Sequence, residues 1–328
     1  MIWERAHAAI RRGKSASMEA HAARGIKRKT AGMNNLMLIC LALPMFLSKL
    51  IFHYIPMTGI VLAFKDFHYA KGIFGSPWVG LDNFAFFFQS PDAWRTARNT
   101  LGYNISFILL GTVSALLFAL LLYEVGSKAV VKYAQTSMLL PHFMSWVIVA
   151  FIAYGFLSYK SGILNGLLAS FGLDKVNWYT SKTAWIFIFP IANTWKYLGM
   201  SSIIYYACLM GVDPAYYEAA KVEGANRLQI ATRITLPFLY PLVIMLGILD
   251  VGKIFNADFG LFYQLPKDST IIYETTDVIE TYIFRALKEQ GNMGMATAVD
   301  LYKSLISFAL VIGTNQLVKK FSPENTLF

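Results

Sequence analysis

Six stretches of this chain are each apolar over a length that can cross a lipid bilayer, and this limits the fold more than any other feature. A helix crossing about 30 Å of hydrocarbon takes roughly 20 mostly apolar residues. The stretches cover residues 36–64 (interrupted by Pro44 and Pro56), 100–123, 134–157, 184–209, 237–255 and 298–318. Composition agrees. The 328 residues are 56% hydrophobic and 15% charged, whereas soluble domains sit near 45–50% apolar and about 25% charged. The expected fold class is therefore an all-α membrane protein with six transmembrane helices.

The formal charge of +10 does not point to nucleic acid, because the charges collect at helix ends and in residues 1–35. That segment carries Arg5, Arg11, Arg12, Lys14, Arg24, Lys27, Arg28 and Lys29 against Glu4 and Glu19. It is too long for the charged region of a signal peptide, and the apolar stretch behind it is also too long. It reads as a cytoplasmic tail resting on anionic lipid, ahead of an uncleaved first span. With the N-terminus inside, the inner segments hold 15 Lys and Arg over 81 residues and the outer ones 11 over 104. This asymmetry places both termini in the cytoplasm. Cys40 and Cys208 lie inside apolar runs and read as buried small hydrophobes, so neither a disulfide framework nor a metal site is expected.

Residues 65–88 are aromatic and turn-rich, running from Lys65-Asp66-Phe67-His68-Tyr69 to Phe86-Phe87-Phe88. They read as interfacial anchors between the first two spans. The segment after the fourth span is more specific. Asp213 suits an N-cap, Pro214 the first helical position, and Glu218, Ala219 and Ala220 a helix body. Gly224 stops that helix, a second short helix follows, and Pro237 opens the fifth span. A helix–turn–helix on the inner membrane face would project as a knob for docking another protein.

At this segment the chain resembles a known family. Glu-Ala-Ala, three residues, Gly, nine residues, Ile, one residue, Leu-Pro is the signature of the membrane subunits of bacterial binding-protein-dependent ABC importers. Glu218, Ala219, Ala220, Gly224, Ile234, Leu236 and Pro237 match it without a gap. At average residue frequencies such a match arises on the order of once in 10⁸ windows. Glu223 stands where many relatives carry Asp. Residues 54–67, 75–81, 273–282 and 294–299 further resemble the subgroup that imports oligosaccharides, including aldouronate and alginate fragments.

The resemblance implies the type I ABC importer permease fold in the bacterial inner membrane. Residues 1–35 would be a basic tail, 36–96 the first helix and a periplasmic segment, 97–318 a five-helix core and 319–328 a cytoplasmic end. The helix at 214–222 would be a coupling helix seated on a separate ATPase dimer. ATP and Mg would be bound by those subunits, since this sequence contains no GxxxxGK[ST] phosphate loop. A second permease subunit, expected as a heterodimer partner although a copy of this chain is the alternative, and a periplasmic solute-binding protein would complete the assembly. No cofactor, metal or catalytic residue is expected in this chain itself.

Polar groups within spans mark candidate solute contacts. Asn104, Asn193, Trp195, Lys196, Tyr197, Asp250, Lys253 and Asn256 form that set. Lys196 is expected to face a central cavity and offset the charge of a uronate. Lys49 and Lys303 read instead as snorkelling or ion-paired groups, and Asp250 and Lys253 as a possible i,i+3 pair. An ion-coupled secondary transporter would need acids deep in several spans, yet Asp250 and Asp300 fall near span ends. A membrane enzyme would need a catalytic cluster, which five scattered His and two isolated Cys do not supply.

Overall fold

The computed structural model describes residues 37–321, which fall in two compact units divided between Gly59 and Ile60. The basic tail and residues 322–328 lie outside the described residues. In the first unit an apolar helix begins at Met37. The run α1 (Met37–Phe64) is 28 residues long, and an 18-residue window within it has a mean hydropathy of 1.9. Its pitch changes to π over Leu50–Tyr54 and to 3-10 over Pro56–Phe64, where Pro56 has no N–H to donate. Lys49 and His53, four apart, meet at 3.5 Å.

The second unit is helical throughout its core. It comprises α2 (Asp82–Gln89), α3 (Pro91–Glu124), α4 (Lys128–Phe143), α5 (Trp146–Leu157), α6 (Lys182–Leu209), α7 (Pro214–Val222), α8 (Leu236–Gly252), α9 (Phe259–Gln264), α10 (Ile279–Lys288) and α11 (Met293–Phe321). Among the described residues, α1, α3, the run Arg227–Gly252 that contains α8, and α11 are long and apolar enough to cross a membrane. The third expected span is broken, since α4 and α5 meet at 102° across Met144 and Ser145. Pro141 ends one arm and Ser145 caps the next, its hydroxyl accepting from the N–H of Ile148. At 28 residues α6 is long enough, but Pro190, Asn193, Thr194 and Lys196 dilute its apolar character.

The fifth span also differs from expectation. Its helix is already under way at Arg227, and Pro237 sits inside the run rather than opening it. A π-turn over Ala231–Thr235 lies just ahead of the proline. A widened turn absorbs the missing N–H and the ring's bulk without ending the helix.

Helices in lipid gain little from burying apolar surface against one another, so close packing and hydrogen bonds must hold them. Accordingly α3, α6 and α8 meet over Ala115, Ala119, Tyr205, Leu209 and Leu239. The α4–α6 crossing puts Gly199 against the backbone of Met138, where a Cβ would overlap the Met138 carbonyl. The loop between α9 and α10 is strapped to α3 by polar groups. The buried Asp277 carboxylate accepts from Arg95 at 2.8 Å, Arg285 at 2.6 Å and Thr281 at 2.7 Å. Asn99 donates to the carbonyls of Glu274 and Asp277, and Tyr103 to that of Thr275.

The aromatic stretch at 65–88 is only partly a set of anchors. Phe87 is core, packed on Tyr282. Lys65 is buried and donates to the carbonyls of Ile73 and Phe74, both at 2.9 Å. Trp78 lies exposed beneath the Lys65 ammonium. Lys303 pairs with Glu280 at 3.3 Å and Asp300 at 3.0 Å, as a lysine within a span requires.

Candidate functional site

Positions 193, 194, 197, 198, 201, 204 and 205 recur at helical spacing along one face of α6, and this face forms a wall of a cleft of about 510 Å³. α3 supplies Asn104, Gly111 and Thr112 across from it, and α8 with the loop behind it supplies Asp250, Lys253, Asn256 and Asp258. The lining thus mixes amides, hydroxyls and charged groups with the rings of Phe107, Tyr197 and Tyr205 and the aliphatic side chains of Ile108, Leu198, Ile204 and Leu246. Such a surface can exchange hydrogen bonds with a sugar's hydroxyls and pack against its ring face. The Thr194 hydroxyl is buried and has no hydrogen-bond partner among the described residues. Asn104 donates to the carbonyls of Ile254 at 2.8 Å and Asn256 at 3.3 Å, tying the end of α8 to α3. Asp250 and Lys253 both open into the cleft, outside salt-bridge distance yet close enough for Asp250 to feel the lysine's charge.

Six of the eight residues expected along a solute pathway therefore meet in one cleft. The other two do not. Trp195 is 40% exposed on another face of α6. Lys196, expected to face the cavity, is 4% exposed and is turned toward the break between α4 and α5. Its ammonium donates to the carbonyls of Pro141 at 3.2 Å and His142 at 3.1 Å, and also to that of Met144. It lies 5.2 Å from the ring centroid of Trp146. The physical reason is local. A helix end leaves its last carbonyls without partners and carries partial negative charge, so a cation on the neighbouring helix is drawn to it. One residue of helical rotation separates that side of α6 from the cleft side.

Asp258 was not singled out from sequence, because it follows the fifth span in what reads as a loop. The structure brings its carboxylate to the cleft wall. One oxygen accepts from Trp146 Nε1 at 2.5 Å and from the Tyr197 hydroxyl at 3.0 Å. The other caps α9 through the N–H groups of Gly260 and Leu261.

The segment after α6 forms the expected helix and turn, but its second helix runs on into the fifth span. The Asp213 carboxylate accepts from the N–H of Ala215 at 2.9 Å, and Pro214 opens α7. Gly224 sits at φ +81°, a conformation that a Cβ disfavours. Ala225 N–H returns to Ala220 O at 2.9 Å and Gly224 N–H to Lys221 O at 3.1 Å, a Schellman closure. Asn226 and Gln229 then cap the next turn reciprocally.

The seven motif residues divide between two roles. Ala220 and Ile234 pack with Tyr217, Ile230 and Tyr123, while Gly224 makes the turn and Leu236 and Pro237 sit where the long helix resumes. Glu218 and Ala219 face outward with Tyr216 and Val222, and Glu218 has no partner among the described residues. The knob thus carries an exposed carboxylate among exposed apolar groups.

Comparison with known proteins places the chain in a family. The family described as "Binding-protein-dependent transport system inner membrane component" matches residues 107–321. The polygalacturonan/rhamnogalacturonan transport system permease protein YteP of Bacillus subtilis is 36% identical over 88% of this chain and 89% of its own length. Protein LplB of the same organism is 34% identical over 92% and 95%. A crystal structure of a bacterial ABC transporter involved in the import of the acidic polysaccharide alginate contains a chain that superposes with a TM-score of 0.81. That chain is 36% identical, with 88% of this chain and 97% of that one covered. This chain belongs to the family of binding-protein-dependent transport system inner membrane components, as a permease subunit of the sugar-transporting kind.

Proposed function

We propose that this chain carries oligosaccharides, including acidic ones, across the bacterial inner membrane as half of the permease pair of an ATP-driven importer. The observation that carries the reading is the presence, on one chain, of a polar, aromatic-edged cleft and a rigid knob bearing an exposed Glu218. The cleft would hold the solute, and α7 would be the coupling helix that takes up motion from an ATPase dimer. Permease subunits of this kind are transport components and not enzymes. ATP and Mg belong to the partner subunits in this reading.

Six crossings follow if α4 and α5 form one bent span and α6 is another, which its cleft-lining polar residues explain. Both termini then face the cytoplasm with α7. A periplasmic binding protein would deliver solute to the opposite side, and a second permease, different from this one, would close the cleft. The names of relatives support acidic sugars as cargo: polygalacturonan and rhamnogalacturonan for one, alginate for another. Lys253 is then the cation that meets a uronate, in place of Lys196. A neutral oligosaccharide is the second reading, favoured by the two carboxylates, Asp250 and Asp258, that share the cleft with that single lysine. Transport by alternating access needs two states that ATP biases differently.

The test is uptake by the reconstituted complex in proteoliposomes, with alginate, polygalacturonate and neutral xylo-oligosaccharides offered separately. ATP-dependent accumulation of an acidic sugar, lost on Lys253→Met, supports the first reading. Accumulation of the neutral sugar alone selects the second, and accumulation without ATP refutes the importer.

A further inference from the structure

We propose that Asp258 is a positioning residue for transport, a latch through which the solute cleft and the hinge of the broken α4–α5 span move as one. The inference rests on the importer reading of the preceding section.

A carboxylate offers about four lone-pair sites. In Asp258 they are taken by Trp146 Nε1, the Tyr197 hydroxyl and the N–H groups of Gly260 and Leu261. Although it stands at the cleft wall, it has no acceptor capacity left for a sugar hydroxyl. Its partners come from three places. Trp146 is the first residue of α5, just past the 102° break. Tyr197 is on the cleft face of α6. Gly260 and Leu261 open α9.

Trp146 is fixed on its other faces as well. A Cβ on Gly260 would lie 2.5 Å from the indole Cδ1, so the ring rests directly on that backbone. The Lys196 ammonium sits 5.2 Å from the same ring and 5.8 Å from that of Tyr197. It also holds the carbonyls at the end of α4. The two arms of the broken span are therefore clamped by neighbouring residues of α6. Lys196 holds the end of α4, while Tyr197 reaches the start of α5 through Asp258. A solute that displaces Tyr197 or the 253–258 segment must also pull on the hinge. Charge-assisted bonds in a water-poor setting give that pull directional stiffness.

The test places spin labels on the two arms at Phe143→Cys and Phe151→Cys, both exposed positions, in the complex with Cys40 and Cys208 replaced by Ala. Distance distributions and sugar uptake are measured for wild type and Asp258→Asn. An amide presents one acceptor oxygen and one donor nitrogen, so it cannot accept from Trp146 Nε1 and cap α9 at once. The expected result is a narrow wild-type distribution that broadens in the variant. Uptake should fall roughly tenfold or more while ATP hydrolysis continues. If Asp258→Asn does not assemble, Trp146→Phe, which keeps a ring over Gly260 but loses the indole N–H, should give the same broadening.

A narrow, unshifted distribution in Trp146→Phe, which has no N–H to offer whichever way residue 258 turns, overturns the latch, whether or not thermal stability drops. Wild-type complex that fails to accumulate sugar with ATP refutes the importer reading instead. The hinge distances are read without nucleotide, so the two failures are distinguishable.

Discussion

Replacing Lys196 by Met separates the two roles available to this lysine. In the structure its ammonium ties three backbone carbonyls at the end of α4, those of Pro141, His142 and Met144, and lies over Trp146. Methionine fills a similar volume but donates nothing. The Pro141 carbonyl keeps the Met144 N–H, so two acceptors, those of His142 and Met144, lose their partner at about 1–3 kcal/mol each, and the lost cation–π contact adds about 1 kcal/mol. Against this, the variant no longer has to keep a charge away from water, which returns several kcal/mol. With partial relaxation of the carbonyls, the net loss should be about 2 kcal/mol. The assay is thermal unfolding of the purified complex in detergent beside concentration-dependent uptake in proteoliposomes. The expected outcome is a Tm lower by several degrees and a reduced maximal rate, with half-saturation by solute unchanged. An unaltered Tm with a several-fold rise in half-saturation for an acidic sugar, and none for a neutral one, would refute the reasoning. It would put the lysine back in the cleft.

Other substitutions give separable readouts. Glu218→Gln, on an exposed site, should leave Tm unchanged and abolish most ATP-driven uptake; normal uptake would remove α7 from coupling. Gly224→Val places a β-branched residue at φ +81° and should cost about 1–2 kcal/mol locally, with weaker ATPase association in a pull-down of the complex. Asp277→Ala leaves Arg285 and Arg95 without their shared carboxylate and should destabilise by about 3 kcal/mol, read as a drop in Tm. Thr194→Val removes a buried hydroxyl with no hydrogen-bond partner among the described residues, so Tm should hold or rise, because an unsatisfied buried polar group costs stability.

The sequence by itself determined the class, most of the spans and the knob, because each is written in local chemistry. Bilayer-length apolar runs need no tertiary information to be read. Asp213, Pro214 and Gly224 act on their own helix through capping and backbone conformation, and so the turn at 224 forms as expected. The cleft was partly legible for the same reason, since a polar residue within a span must face something other than lipid.

The tertiary structure decided which something that is. Asn193 and Lys196 lie three residues apart, yet one lines the cleft and the other seals a neighbouring helix end. The difference is set by where α4 stops, a property of the α4–α6 packing that no spacing within α6 encodes. Asp258 likewise became a site only when the fold brought Trp146, from a helix more than a hundred residues earlier, within 2.5 Å of its carboxylate. The bend between α4 and α5 and the early start of the fifth span belong here too. A proline marks where a helix can yield, but what fills the missing hydrogen bond comes from the surrounding chain.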